Sequence, residues 1–169
     1  MIEPIVKLPN FVLGIDPGTT ESASCLLDRR TDHIEHFCKV DNDVILNNIR
    51  VVNGQDETAL FIEMFACYGM AVGQDVYRSC VWIGQFYREW DRRWDKWGRP
   101  ELVYRKDVVL HHCNSPRAND SNIRRAMLDR FGEQGTKKAP GPTYGISRDV
   151  WSAVAIAAYG VDTLKGETP

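Results

Sequence analysis

Long apolar runs are missing: no uninterrupted hydrophobic stretch approaches the ~20 residues that a membrane-spanning helix needs. The N-terminus MIEPIVKLPN has no basic-then-apolar pattern, so export is not expected and a cytoplasmic location is. Cysteine is sparse and unpaired in pattern. Cys25, Cys38, Cys67, Cys80 and Cys113 are odd in number and widely spaced, with no C-x-x-C. That argues against a cysteine zinc site or a disulfide framework, and for reduced thiols. Net charge of one sign is also lacking. At −2 overall, binding to nucleic acid would need a local basic surface. Neither an internal repeat nor an interdomain linker is visible, so 169 residues read as one domain, with residues 1–10 and 161–169 as tails.

The residues present are those of an ordinary globular protein, 43% hydrophobic and 26% charged. Residues 11–16 (FVLGID) form an apolar run ending on a carboxylate before Pro17-Gly18 and read as a buried strand. Residues 20–28 and 33–40 read as two further strands around the polar turn 29–32. A short helix is expected over 41–52, with Val44, Ile45, Leu46 and Ile49 on its apolar face. A fourth strand follows at 58–65, then a long helix over 74–97 ended by Gly98 and Pro100. The stretch 102–113 alternates enough to hold a fifth strand, and 119–131 reads as a helix closed by Gly132. Residues 132–146, rich in Gly, Pro and Lys, read as a mobile loop. A last helix is expected from Arg148 to Tyr159, capped by Ser147.

Three strands, then alternating helices and strands, is the order of the ribonuclease H fold: a five-stranded mixed sheet flanked by helices. In that fold the first strand, the end of the fourth and the last helix converge on one face. A carboxylate stands at each place: Asp16, Glu63 in the apolar segment FIEMF, and Asp149. Taken singly, Asp16 could only start a turn and Asp149 could only favour a helix dipole. Glu63 is different, because a buried, unpaired carboxylate is costly and calls for a metal or a cation. Hydrolysis of a phosphodiester needs an activated water and compensation of charge on two oxygens, which two Mg²⁺ ions held by carboxylates supply. The rigid Asp16 suits a bridging position between the ions.

GIDPG, then IEM at 62–64, then DVWSAVAIA at 149–157 resembles the RuvC family of Holliday-junction resolvases, and its bacteriophage-encoded branch in particular. RANDSNIRRAMLDRFG and TKKAPGPTYGISRDVWSAVAIA resemble that branch too. The resemblance spans about Phe11 to Tyr159. It implies a bacterial, phage-type homodimeric endonuclease that binds four-way DNA junctions. It further implies symmetric nicking of two strands with Mg²⁺ or Mn²⁺, two ions per site, leaving 5′-phosphates and 3′-hydroxyls. On it, Asp16, Glu63 and Asp149 are the catalytic metal ligands. Cellular members carry an acid three positions further on, where this chain has Ser152. A relative that binds branched DNA without cutting it is the alternative that Ser152 raises.

The same opening stretch is close to the phosphate turn of actin-like ATPases. Those need two lobes; this chain has one, and Pro17 removes a backbone donor from the turn. For DNA contacts the basic candidates are Arg105 and Lys106, expected in the fifth strand, with Arg117, Arg124, Arg125, Arg130, Lys137 and Lys138. Trp82, Phe86, Trp90 and Trp94 recur every four residues, followed by Trp97. So long an aromatic stripe exceeds what one sheet covers, and part of it is expected to form the dimer interface. His111 and His112, adjacent on a strand, would point to opposite faces and could not share an ion.

Overall fold

The computed structural model describes residues 8–53, 57–92 and 98–166. Its elements run β1 (Phe11–Asp16), β2 (Glu21–Asp28), β3 (His33–Asp41), α1 (Asn42–Asn53), β4 (Thr58–Met64) and α2 (Gln74–Asp91). They continue with β5 (Glu101–Tyr104), α3 (Arg105–Cys113), α4 (Asp120–Phe131), β6 (Gly135–Thr136), β7 (Ala139–Pro140) and α5 (Val150–Lys165). One five-stranded sheet has the order β3-β2-β1-β4-β5. β1 pairs antiparallel with β2 and parallel with β4, and β5 is parallel to β4. This is the mixed ribonuclease H-like sheet that the element order led us to expect. No helix of the described residues is long and apolar enough to cross a membrane.

Because strand side chains alternate, each face of the sheet builds its own core. Leu13, Ile15, Leu60 and Ile62 face α1 and α2, where Ile45, Ile49, Ile83, Phe86 and Trp90 close one cluster. Val12, Ala23, Cys25, Ala59, Phe61 and Val103 face the other way, onto α5 and flanking residues of α3 and α4. α5 is rich in alanine and lies unusually near the central strand. A Cβ on Gly14 would stand 2.5 Å from Ala157 N and 2.6 Å from Ala153 O. Gly160 repeats the arrangement, its imagined Cβ 2.7 Å from Phe61 and 2.8 Å from Val12. These two glycines let the helix rest against β1 and set where its N-terminus falls.

Several expectations are corrected. The fifth strand is four residues long and residues 105–113 are a helix, α3, ended by Asn114 in the left-handed region (φ 53). Val108 and Val109 are buried in the α5-side cluster, so packing decided a stretch whose periodicity was ambiguous. Arg105 and Lys106 therefore open a helix rather than lie in a strand. His111 and His112 sit on that helix with their rings 4.7 Å apart, so the opposite-face objection falls. α5 runs to Lys165, with Val161 and Asp162 buried, so residues 161–165 are not a tail. Ser147 is not its cap: Asp149 holds the N-cap position, with no side-chain capping bond. The segment 132–146 carries the β6–β7 hairpin and is tied down by Gln134 Nε2 donating to the Ile146 carbonyl (2.6 Å), beside the buried Ile146. Phe86 and Trp90 are 0% and 2% exposed within the single chain, which removes them from any partner surface; Trp82 is partly buried beside them. Trp94 and Trp97 lie outside the described residues.

Candidate active site

Strand register assembles the site. Asp16 pairs with Ala23 on β2, and Ala23 with Lys39 on β3. On the other side, Gly14–Phe61 and Ile15–Ile62 are paired in β1 and β4, which brings Glu63 beside Asp16; Glu63 in turn pairs with Val103. Lys39, Ala23, Asp16, Glu63 and Val103 thus form one row across the sheet. Ala23 and Val103 of that row lie in the α5-side core, so all five side chains leave the sheet on the α5 face. α5 begins over this row, and Asp149, half-exposed, reaches down to it, its Oδ2 2.6 Å from Lys39 Nζ.

The turn after Asp16 is locked by its own polar groups. Gly18 N donates to Ser22 Oγ (3.1 Å), Ser22 Oγ to Asn42 Oδ1 (2.5 Å), and Asn42 Nδ2 to the Gly18 carbonyl (3.1 Å). A Cβ on Gly18 would collide with the Glu21 carbonyl at 2.2 Å, which explains the glycine. The Gly18 N–H is therefore committed inside the fold and is not free for a nucleotide phosphate. That weighs against the ATPase-like reading of GIDPGTT.

The electrostatics are those of a carboxylate cluster short of positive charge. Burial pushes the Asp16 carboxyl up to about 7, helped by the negative charges of Glu63 and Asp149 and opposed by Arg105 and a hydrogen bond from Ser152. Glu63, 8% exposed, is also raised: burial is the main cause, Arg105 opposes it, and the Asp120 charge adds to it. Two cations of the chain reach the cluster. Lys39 pairs with Asp149, and Arg105 forms an ion pair with Asp120 at the start of α4. Lys39 and Asp120 escaped the sequence reading; neither belongs to a motif, and only the fold brings them in. Cross-strand pairing after a recognised edge strand would have been the one signal for Lys39.

The three sequence-predicted carboxylates come together around Asp16, but more loosely than a closed ligand cage. Among the described residues, only His111, His112 and Asp162 place ligand atoms within 4.8 Å of one another. That grouping sits at the other end of α5, roughly 20 Å away at 1.5 Å rise per residue. There Arg130 donates to both Asp162 oxygens (2.7 and 2.9 Å), His111 Nε2 lies 2.7 Å from one of them, and His112 Nε2 is 2.8 Å from the Ala155 carbonyl. An arginine already holds the position that an ion would need. For the carboxylates at the near end, the donor set is all hard oxygen, crowded with like charge and partly desolvated, and it fits Mg²⁺ or Mn²⁺.

A cleft of about 570 Å³ joins Asp149 and Ser152 to Asp120, Arg124 and Gln134. A second, of about 340 Å³, joins Glu63 to Tyr68, Tyr104, Arg105 and Lys106, with the Lys106 ammonium 5.8 Å above the Tyr68 ring. Two non-glycine residues with φ of 42°, Tyr68 and Arg148, flank the row, one after β4 and one before α5. Such costly backbone is held where the surroundings over-determine it, commonly at functional sites. The other basic candidates divide. Arg117, Lys137 and Lys138 are exposed; Arg124 lines the first cleft; Arg125 pairs with Asp129 and Glu133; Arg130 is committed to Asp32 and Asp162 at the far end of α5.

Compared with protein-family models and with curated protein sequences, the chain matches none. Solved structures do match. Thermus thermophilus RuvC is similar with a TM-score of 0.67 at 15% identity, over 93% of this chain and 97% of that one. T. thermophilus RuvC in complex with a Holliday junction substrate gives 0.64 at 15%, over 93% and 96%. The yeast mitochondrial Holliday junction resolvase Ydc2 gives 0.61 at 10%, over 98% and 86%. At such identities the likeness speaks for architecture, and this chain has the ribonuclease H-like fold over most of its length.

Proposed function

We propose that this chain is a structure-selective endodeoxyribonuclease that resolves four-way DNA junctions and related branched DNA by metal-dependent phosphodiester hydrolysis. The observation that carries the proposal is the row of Asp16 and Glu63 beneath Asp149, a surplus of desolvated negative charge on a fold shared with junction resolvases. Asp16, between the other two, would hold metal together with Glu63 and Asp149 on either side of it. Mg²⁺ or Mn²⁺, when bound, would supply an activated water and neutralise charge on the attacking and leaving oxygens. Ser152 lies close enough to favour the charged form of the Asp16 carboxyl, and Arg105 offsets part of the cluster's charge. Lys106, Arg117, Arg124, Lys137 and Lys138 are the backbone contacts, which position a branched duplex without reading its sequence. The reading includes a homodimer, for which Tyr77 and Val81 of α2, both exposed, are the apolar side chains left once Phe86 and Trp90 are assigned to the core. A bacteriophage origin and a cytoplasmic site of action belong to the same reading.

The test is cleavage of an end-labelled four-way junction beside a linear duplex of the same sequence, with Mg²⁺, Mn²⁺ or EDTA. Paired nicks in the junction alone are expected, abolished by EDTA and reduced by roughly 10³-fold or more in Asp16→Asn. Ser152→Asp keeps the reading open to a second outcome. Tight junction binding without cleavage, with cutting gained on adding that carboxylate, would identify a binding protein whose site lacks one acid. Equal treatment of junction and duplex would sink the functional assignment.

A further inference from the structure

Lys39 reaches the site but has been given no role in its chemistry so far, and its position is fixed by the sheet rather than by the reach of a flexible side chain alone. It stands in register with Ala23, which stands in register with Asp16, on the strand at the sheet edge. With neighbouring strands ~4.8 Å apart, its Cα is roughly 10 Å from that of Asp16, on the same face. The residue between them is a buried alanine, Ala23. Two residues earlier on the same face, Phe37 packs beside Gly145 in the loop that leads into α5. The β3 edge and the start of α5 are thereby held together, and Lys39 Nζ meets Asp149 Oδ2 at 2.6 Å. Both side chains are open to solvent, 39% and 51% exposed, so the contact can exchange.

We infer that Lys39 is a positioning residue with two successive partners: it holds Asp149 while the site lacks metal, and it moves to a backbone phosphate of the bound DNA once Asp149 turns to an ion. Only Oδ2 of Asp149 accepts from the ammonium, but a divalent ion on the same carboxylate would repel that ammonium and weaken the contact. Entry of the ion therefore releases the lysine at the rim of the cleft. A compact, strongly hydrated ammonium on a flexible stem suits an exchange of partners. Glu21 and Asp16 are the other carboxylates that act on it, and a phosphate of DNA laid across the cleft rim is the new anion it would take. The lysine would thus weaken metal binding before DNA arrives and strengthen DNA binding after it, coupling the two events.

This inference rests on the metal-dependent nuclease reading, and the test separates the two. Mn²⁺ uptake by the full chain without DNA, followed by electron paramagnetic resonance, is measured for wild type, Lys39→Met and Lys39→Arg. Junction affinity is then measured against salt concentration, with Ca²⁺ in place of the catalytic ion. Lys39→Met should bind Mn²⁺ about two- to five-fold more tightly, as expected for loss of an exposed ion pair. In Ca²⁺ it should bind the junction more weakly, with a salt slope shallower by about 0.9, one phosphate contact. Lys39→Arg, which keeps the charge, should stay close to wild type in the slope. Unchanged Mn²⁺ affinity or an unchanged slope in Lys39→Met would overturn the inference while leaving the nuclease intact. A wild-type chain that takes up no Mn²⁺ would overturn both.

Discussion

The two ends of α5 present the same group in opposite circumstances. At the N-terminal end Asp149 joins Asp16 and Glu63, and burial drives Asp16 and Glu63 towards protonation. At the C-terminal end burial also acts against the charge of Asp162, but hydrogen bonds from Arg130 and His111 outweigh it, and that carboxyl is held below its usual range. Arg130 is itself raised: burial works against its charge, and Asp32 and Asp162 more than compensate. Desolvation acts at both ends, so it cannot be what separates them. The difference is who supplies the cation. The fold supplies Arg130 at one end, and the result is a structural clamp joining α4, α5 and the β2–β3 turn. At the other end it supplies only the outer contacts of Lys39 and Arg105, and Asp16 is left raised by burial and by the charges of Glu63 and Asp149.

The sharpest way to break this comparison is to make the balanced end resemble the unbalanced one. Arg130→Met removes the guanidinium, leaving Asp32 without that partner and Asp162 with His111 as its remaining side-chain partner. Loss of one partner from such a partly buried network costs about 3–5 kcal/mol. Thermal unfolding of the metal-free protein should show it, with divalent ions failing to restore the loss. If Mn²⁺ did restore it, the His111–His112–Asp162 grouping would be a latent metal site after all, and the contrast between the ends would be one of degree.

A second prediction works in the other direction. Asp16 takes up a proton at about 7 in the folded chain, against an ordinary value of 3.8. A group whose folded value is raised contributes its full stability at low pH and loses it as pH rises, here between about pH 4 and pH 7. Asp16→Asn should therefore leave stability unchanged near pH 4 and increase it at pH 8, by at most about 4 kcal/mol. Asp162 has the opposite sign. Its contribution is present at neutral pH and disappears as acid protonates it, so Asp162→Asn should flatten the acid limb instead. Denaturant unfolding of both variants from about pH 2 to pH 8 checks the pair, because the Asp162 carboxyl is held below its ordinary 3.8 and its contribution is lost only under about pH 4. Parallel curves would show that the ends of α5 are electrostatically alike.

The legibility of this molecule in its sequence follows the range of the interactions. β1, β4, α4 and α5 were readable because each is built from a local pattern with local stops, such as Asn119 reciprocally capped with Asn122 and Gly132 closing the same helix. Asp16, Glu63 and Asp149 were readable because they sit on those elements. α3 was misread because RKDVVLHHC carries apolar residues at a spacing that suits either period, and its burial against α5 decided the outcome. The aromatic stripe of α2 was over-read, since α1 and the second sheet face together cover Phe86 and Trp90. Lys39 was invisible for a simpler reason: its partner lies 110 residues away, and no pattern within reach of either residue records the pairing.

The smallest effect concerns the middle of α5, where the two ends are coupled. Gly14→Ala would put a methyl carbon where the Ala157 nitrogen and the Ala153 carbonyl already stand, and neither can move without the helix. Overpacking of this kind costs about 1–3 kcal/mol. The larger consequence falls on geometry. A shift of the helix off β1 carries Asp149 away from the row on the sheet while Asp16 and Glu63 stay with their strands. Misplacement near 1 Å in a catalytic constellation costs on the order of 10²-fold in rate. Cleavage by Gly14→Ala should therefore fall by more than its stability loss accounts for, at a temperature where the variant remains folded. Gly160→Ala supplies the control, because its clash is with the side chains of Phe61 and Val12, further along the helix from Asp149. If the two variants lost stability and rate in the same proportion, the close approach of α5 to β1 would serve packing alone. If only Gly14→Ala lost rate disproportionately, the glycine would be the element that sets the distance between the helix carboxylate and the sheet carboxylates.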